Sequence, residues 1–434
     1  MTSRDVPTTE PALLTWADPF YPDGVLPQSV RAALRKQLDE PAIAHYTDAD
    51  GSPSLRAAIA RWFTRSTHVP CDAGHVIVTA GSTTALYFAM SVLLHPGDEV
   101  IVTDPGFPDY ASDCRRLGLI ARGLPLLTED GYQIREPALE SVISERTRAI
   151  VLANPLNPMT TVLDRVSCET IATVAARHDL LVINDEAFAD HVFGTGTAGT
   201  LDTSRIAAGE RPFVSLSSMP QLRSRCLTVR SLSKGYGLSG LRIGALIGAS
   251  GHAATSSRYS TDLIVQLRPL VEDQLGAPPT FAQIAAEAAL RDESLLPSIR
   301  AEFAARAALV REILGAVDGV RVTPIDSGFL SWIDVAAFGG GDVVARALRE
   351  RAGIAVQPGS HYVLGNALSG AVRAGVADAV TDDAGESADD VRSAIDRAER
   401  EAAGFIRISQ GAYRDRDRLA AVLRRFAATL ASLR

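Results

Sequence analysis

The chain predicts an α/β protein: a mainly parallel seven-stranded sheet with helices on both faces, followed by a smaller α+β domain. Between residues 75 and 248, seven short β-branched runs alternate with alanine-rich amphipathic segments, the rhythm of strand, crossover helix and parallel strand. After about residue 280 the texture changes to long helical periods interrupted by four short strand candidates. At 434 residues, 46% hydrophobic and 22% charged, the chain is long enough for two or three cores and has a globular balance.

In chain order, the first forty residues hold Pro19, Pro22, Pro27 and an Asp-Gly pair at 23 and 24. They read as an extended arm entering a helix near Gln28 to Leu38. Strands are expected at His75 to Ala80, Glu99 to Thr103, Leu119 to Leu127, Arg148 to Ala153, Leu180 to Asn184, Cys226 to Arg230 and Ile243 to Ile247. Helices follow at Phe281 to Leu290 and Ser298 to Leu314, with strands at Val320 to Pro324, Gly328 to Asp334, Ile354 to Gln357 and Gly404 to Ser409. A last helix runs from Arg416 to Leu433. The acid-rich stretch between Leu364 and Gly404 (Val380 to Glu386, then Asp389 to Glu401) reads as a loop and a solvated, exposed helix. The expected division is 1–45 for the arm and first helix, packed on the smaller domain or a partner subunit. A large domain spans 46–310 and a small one 311–434, with an insertion at about 364–404.

The net charge of -8, without a long basic run, argues against nucleic acid or anionic membrane as partners. No apolar stretch approaches the roughly 20 residues that cross a bilayer. The first thirty residues lack a charged start followed by an apolar core, so a cytoplasmic location is expected. Cys71, Cys114, Cys168 and Cys226 are widely spaced and read as reduced thiols, with no metal site.

Chemistry is concentrated just after the strands, where an α/β sheet gathers its functional residues. Gly81-Ser82-Thr83 opens an apolar helix and leaves its first N–H groups free to face an anion, although every such turn needs a cap. Asp104-Pro105-Gly106-Phe107-Pro108-Asp109-Tyr110 fixes a turn that can hold Phe107 flat against a planar ring, or place it in a core. Asn154-Pro155-Leu156-Asn157-Pro158 aims its amides, because proline restricts the residue before it. Asp185, at the tip of an apolar strand, calls for a cation. Only two lysines occur, Lys36 and Lys234. Lys234 lies in Ser231-Leu232-Ser233-Lys234-Gly235-Tyr236-Gly237-Leu238-Ser239-Gly240-Leu241-Arg242. A primary amine forms a Schiff base and a guanidinium does not, which makes Lys234 the candidate anchor for pyridoxal phosphate. Ser231 and Arg242 are candidate ligands of one phosphate. Ser231-x-x-Lys234 also fits the serine acyl-transfer signature, but no lysine remains for the Lys-Thr-Gly that it requires.

Taken in order, these segments resemble the class I/II aminotransferases among the fold-type I pyridoxal-phosphate-dependent enzymes, from about Tyr46 to the C-terminus. The resemblance implies pyridoxal 5'-phosphate bound to Lys234 as a Schiff base, with Lys234 then moving a proton as base and acid. It implies Asp185 against the pyridine nitrogen, Asn157 on the ring oxygen, Phe107 on the ring face, and Ser82, Thr83, Ser231 and Arg242 on the phosphate. Tyr46 would reach the phosphate of the neighbouring subunit in a homodimer with shared sites. Arg407, in Phe405-Ile406-Arg407-Ile408-Ser409, would clamp the substrate α-carboxylate. The expected reaction moves the amino group of an L-amino acid to a 2-oxo acid. A lyase, a replacement enzyme or a carbon–carbon bond-forming enzyme on the same scaffold stays open, because three positions depart from the family pattern. Phe188 stands where a tyrosine is usual, Met159-Thr160 replaces Thr-Gly, and the stretch between Pro358-Gly359-Ser360 and Arg407 is longer than the family normally has.

Overall fold

The structure, a computed structural model, describes residues 12–15, 17–20, 24–193, 213–248, 258, 262–367, 387–411 and 415–434. Thirteen strands occur among these residues: β1 (Ala12–Leu13), β2 (Val76–Thr79), β3 (Glu99–Asp104), β4 (Ile120–Pro125), β5 (Thr147–Ala153), β6 (Leu181–Asp185), β7 (Cys226–Ser231), β8 (Gly244–Gly248), β9 (Arg321–Val322), β10 (Leu330–Asp334), β11 (Ile354–Ala355), β12 (Gln357–Pro358) and β13 (Phe405–Ser409).

All seven expected runs join one sheet, in the order β2-β8-β7-β6-β5-β3-β4. Strand β8 alone runs antiparallel to both of its neighbours, and β3 to β7 are mutually parallel. Successive side chains point to opposite faces, so a strand covered on both sides is apolar throughout. Val100, Val102, Val151 and Ile183 enter one core, while Ile101, Ile150, Leu152 and Val182 enter the other. Each such side chain contributes about 1.5–3 kcal/mol when fully buried.

The register sets where chemistry can occur. Ala153 lies opposite Asp185, and Asp185 opposite Val229, while Ser231 and Thr79 both pair with Gly244. The carboxyl ends of the parallel strands therefore share one edge with the turn into β8.

The second sheet is antiparallel, in the order β12-β13-β10-β9. It packs on the helices Leu295–Leu314, Gly341–Ala352 and Arg416–Ala431. The expected boundary at residue 310 falls inside the first of these helices. The arm joins the smaller unit through β1, which pairs with β11. Helix Gln28–Gln37, expected on the smaller domain or a partner, instead lies on helices Pro53–Thr67 and Thr280–Arg291. The reason is its apolar stripe: Val30 is fully buried among Leu55, Ile59, Phe63 and Ala286.

The acid-rich segment also differs from expectation. Residues 380–386 lie outside the described residues, but Ser387–Ala403 is a docked helix rather than a wholly solvated one. Ala398 and Ala402 are buried, and Ile395 packs on the core beneath β4 and β5. Small residues at four-residue spacing form one face, which the count of acidic residues along the segment had masked. Among the described residues no helix is long and apolar enough to cross a membrane.

Candidate active site

The turn after β2 and the turn before β8 meet at one place. Gly81 has φ +93° and caps helix Ser82–Leu93, a conformation glycine adopts without strain. An added Cβ there would collide with the Arg242 guanidinium, and one on Gly244 would come within 2.8 Å of the Ser82 amide nitrogen. Glycine at both positions lets a guanidinium, a helix N-terminus and Ser231 surround a small cradle. Arg242 donates to the Ser239 carbonyl (2.9 Å) and is exposed; among the described residues no carboxylate pairs with it. Ser231 Oγ accepts from the Ser233 amide at 3.2 Å, which leaves its hydroxyl proton free to face an anion. Ser82 is half-buried and Thr83 exposed at the same helix start.

Lys234 follows β7 on the short helix Leu232–Gly235. Its amine donates to the Ala17 carbonyl of the arm. Burial pulls its pKa down to about 8; Asp18 opposes that shift, and Arg407 and Arg242 add to it. Two cationic groups, Arg407 on β13 and Arg242 in the turn before β8, thus act on the amine, and it gives up its proton near neutral pH far more readily than an ordinary lysine.

Asp185 is buried at the end of β6. It accepts from the Tyr110 hydroxyl (3.0 Å) and from the Ala187 amide (3.0 Å). Burial pushes its pKa up to about 6, the two hydrogen bonds pull against this, and Glu186 and Asp109 push further. No cation answers it among the described residues. Asn157 is buried and its Oδ1 has no hydrogen-bond partner among the described residues. Asn154, by contrast, is a staple: its Nδ2 donates to the Val214 carbonyl (3.1 Å) and its Oδ1 accepts from the Leu163 amide (3.1 Å). Phe107 starts helix Pro108–Arg116, half-buried, with its ring 5.4 Å from Tyr110 and at 80° to it.

Arg407, on β13, is buried. Its Nη2 donates to the Thr15 carbonyl (2.9 Å), its Nε has no hydrogen-bond partner among the described residues, and Cζ sits 5.1 Å from the centre of the Tyr362 ring. Burial holds its pKa below the ordinary guanidinium value. Among the described residues it has no carboxylate partner. Tyr46, by contrast, is 93% exposed.

Several contributors escape a reading of the sequence. The Tyr110 hydroxyl on Asp185 was visible only as a neighbour of Phe107 in the same motif. The Thr15 and Ala17 carbonyls carry no sequence signal. Behind Asp185, Arg230 joins Glu186 (2.8 Å) and Asp190 (2.9 Å) in a fully buried network. Ser215 and Asn184 also donate to Glu186, satisfying charges that would be costly alone. The Asp190 carboxylate abuts Gly235, where an added Cβ would lie 2.9 Å from Oδ2. Phe188 packs at 5.8 Å on Phe329 in an aromatic cluster with Phe193 and Phe303, a setting that suits a ring without a hydroxyl. Thr160 is buried at φ +60°, the backbone conformation that explains a glycine at this place in the family pattern.

These residues fit pyridoxal phosphate. A buried carboxylate that meets no cation among the described residues matches the protonated ring nitrogen, and a glycine-lined guanidinium matches the phosphate. When bound, the cofactor supplies an electron sink for charge that develops at the substrate Cα.

Comparison with known proteins agrees. The pattern described as aminotransferase class I and II matches residues 13–388. An arginine–pyruvate transaminase from Pseudomonas aeruginosa is 31% identical, over 76% of this chain and 78% of its own. An aspartate aminotransferase from Musicola paradisiaca is 28% identical, over 74% of each chain. For the fold, aspartate aminotransferase from Thermus thermophilus with maleate superposes with a TM-score of 0.76 at 24% identity, covering 97% of this chain and 92% of that one. These relatives favour amino transfer over the lyase alternative. The chain belongs to the class I and II aminotransferase family, and it is a pyridoxal-phosphate-dependent enzyme that transfers an amino group from an amino acid to a 2-oxo acid.

Proposed function

We propose that amino transfer runs at the carboxyl ends of the parallel strands, with Lys234 as the proton carrier and Arg407 as the holder of the substrate α-carboxylate. The observation that carries this reading is the buried Arg407 guanidinium, without a carboxylate partner among the described residues and within the field of Lys234. A buried cation is stable only when answered, and a carboxylate fits its planar donors in a bidentate way.

Gly81, Ser82, Thr83, Ser231 and Arg242 would hold the phosphate, Asn157 would donate to the ring oxygen, and Phe107 would bound the ring face. Asp185, oriented by the Tyr110 hydroxyl, would face the ring nitrogen. The Lys234 amine would take the proton from the substrate Cα and hold it for return, a role for which a pKa near working pH is suited. The Ala17 and Thr15 carbonyls must leave Lys234 and Arg407 when cofactor and substrate arrive, so the arm lies where it can be displaced by them.

Arg407→Ala is expected to raise KM for amino acids about 10- to 100-fold, the equivalent of ~1.5–3 kcal/mol of charge-assisted hydrogen bonding. Cofactor affinity should change by no more than roughly twofold. Steady-state kinetics beside a cofactor titration checks this, and an unchanged KM would remove Arg407 from the substrate site.

The working unit is a homodimer in which Tyr46 serves the neighbouring site. Its loop is fixed, since Thr280 Oγ1 donates to the His45 carbonyl at 2.6 Å, yet its ring faces away from its own chain. Tyr87, Val265 and Phe281 are further exposed apolar side chains. Mixing inactive Lys234→Ala and Tyr46→Ala chains should restore roughly a quarter of wild-type activity, because half of the dimers become hybrids with one intact site. Confirmed hybrids without activity would exclude shared sites.

A further inference from the structure

We infer that Glu399, on the helix inserted ahead of β13, is a positioning residue for the Arg407 clamp. This rests on the proposed role of Arg407.

The inserted helix Ser387–Ala403 runs directly into β13, which carries Arg407. Its contacts reach across to the large sheet. Arg397 meets Glu129 through two hydrogen bonds (2.8 and 2.7 Å), and the Thr128 amide donates to Glu401 at 3.1 Å. Arg397 and Glu129 are half-exposed, and surface pairs of this kind hold position weakly. Glu399 does something different. Its Oε1 accepts from the Gly365 amide at 2.9 Å, and Asp104 Oδ1 accepts from the adjacent Leu364 amide at 3.1 Å.

Two carboxylates, one from the inserted helix and one from the end of β3, therefore grip consecutive amides of a single turn. Two residues before that turn is Tyr362. Its carbonyl accepts from the Gly106 amide (2.9 Å), beside Phe107, and its ring lies 5.1 Å from the Arg407 guanidinium carbon. Trp332 borders the same ring at 5.8 Å and stacks on Phe405 at 5.1 Å. The path from Glu399 to Arg407 thus runs through one short main-chain segment and one ring.

The two carboxylates are not equivalent. Burial first, and then the charge of Glu399, push Asp104 up to about 8. At neutral pH Asp104 is mostly protonated, so the Leu364 amide is held by a largely neutral carboxyl. The stretch that is longer than usual for the family therefore contributes a support behind the clamp, where a shift of about an ångström weakens substrate binding without touching the cofactor.

The test uses the holoenzyme with pyruvate as acceptor and twenty L-amino acids as donors, taking KM and kcat for the fastest donor. Glu399→Ala should raise KM about 5- to 10-fold, with kcat, cofactor affinity and Tm close to wild type. Glu399→Gln should stay within roughly twofold, because its amide oxygen still accepts the Gly365 N–H. Should Glu399→Ala not fold, Glu399→Asp withdraws the carboxylate by one methylene and should raise KM about 2- to 5-fold. An unchanged KM in the variant that folds, beside a raised KM in Arg407→Ala, overturns the inference and leaves the clamp standing. Glu399→Gln behaving like Glu399→Ala overturns it as well. An unchanged KM in Arg407→Ala removes the clamp itself, and the inference with it.

Discussion

Replacing Lys234 by alanine is expected to lower turnover by about 10⁴-fold, the upper range of what a positioned acid–base group contributes. No other side chain of this protein can substitute. The only other lysine, Lys36, is exposed on helix Gln28–Gln37, on the far side of the core formed by Leu55, Phe63 and Ala286. Lys234→Arg separates charge from chemistry, since it keeps a cation in place but supplies neither an attachable amine nor a releasable proton. Both variants should lose the absorbance of covalently held cofactor and show no single turnover with pooled amino acids. Thermal melting should stay near wild type, because among the described residues the Lys234 side chain makes one hydrogen bond, to the Ala17 carbonyl. Turnover within tenfold of wild type in either variant would contradict the assignment.

Asp185→Asn should lower kcat by about 10²- to 10⁴-fold, the range expected from removing one partner of a buried charge pair, ~3–5 kcal/mol. The same change should act in the opposite direction on the protein without cofactor. Burial raises the Asp185 pKa to about 6 from a reference of 3.8. A carboxyl whose folded pKa lies above its unfolded value costs no stability below the lower value. The cost grows as pH rises between the two values and is complete above about pH 6. At pH 7 the apo variant should therefore be about 1–3 kcal/mol more stable than apo wild type, and at pH 3.5 nearly equal to it. Melting curves of both apo proteins at the two pH values, beside kcat of the reconstituted enzymes, decide the matter. Loss of stability at both pH values, with kcat retained, would make Asp185 a structural residue.

Much of this architecture was legible from residue order alone. The seven runs of the large sheet declared themselves because strands covered on both faces are apolar throughout, and their ends carry proline, glycine and asparagine in turns. The candidate cofactor residues were visible for a related reason: each lies within a few residues of a strand end. What the sequence missed has a common character. Tyr110 was quoted as part of a turn, but its hydroxyl on Asp185 joins positions 75 residues apart. The Thr15 carbonyl on Arg407 spans 392 residues and involves no side chain at Thr15. The acid-rich helix looked solvated because composition averages its two faces, whereas Ala398 and Ala402 lie on the buried one.

The sequence by itself determined the class of fold, the order of the elements and the positions that bear chemistry, including a single lysine in a strand-end segment. These are local properties, set by side-chain alternation, turn geometry and the identity of neighbours. The tertiary structure decided which charges are answered and which wait for a ligand. Arg230 is paired twice while Arg407 and Arg242 meet no carboxylate among the described residues, although all three are arginines beside apolar runs. It also decided that Glu399 supports the turn behind the clamp. Burial and Coulomb energy depend on distances across the folded chain, and Asp104 and Leu364 become partners at 3.1 Å only after 260 residues have been folded between them.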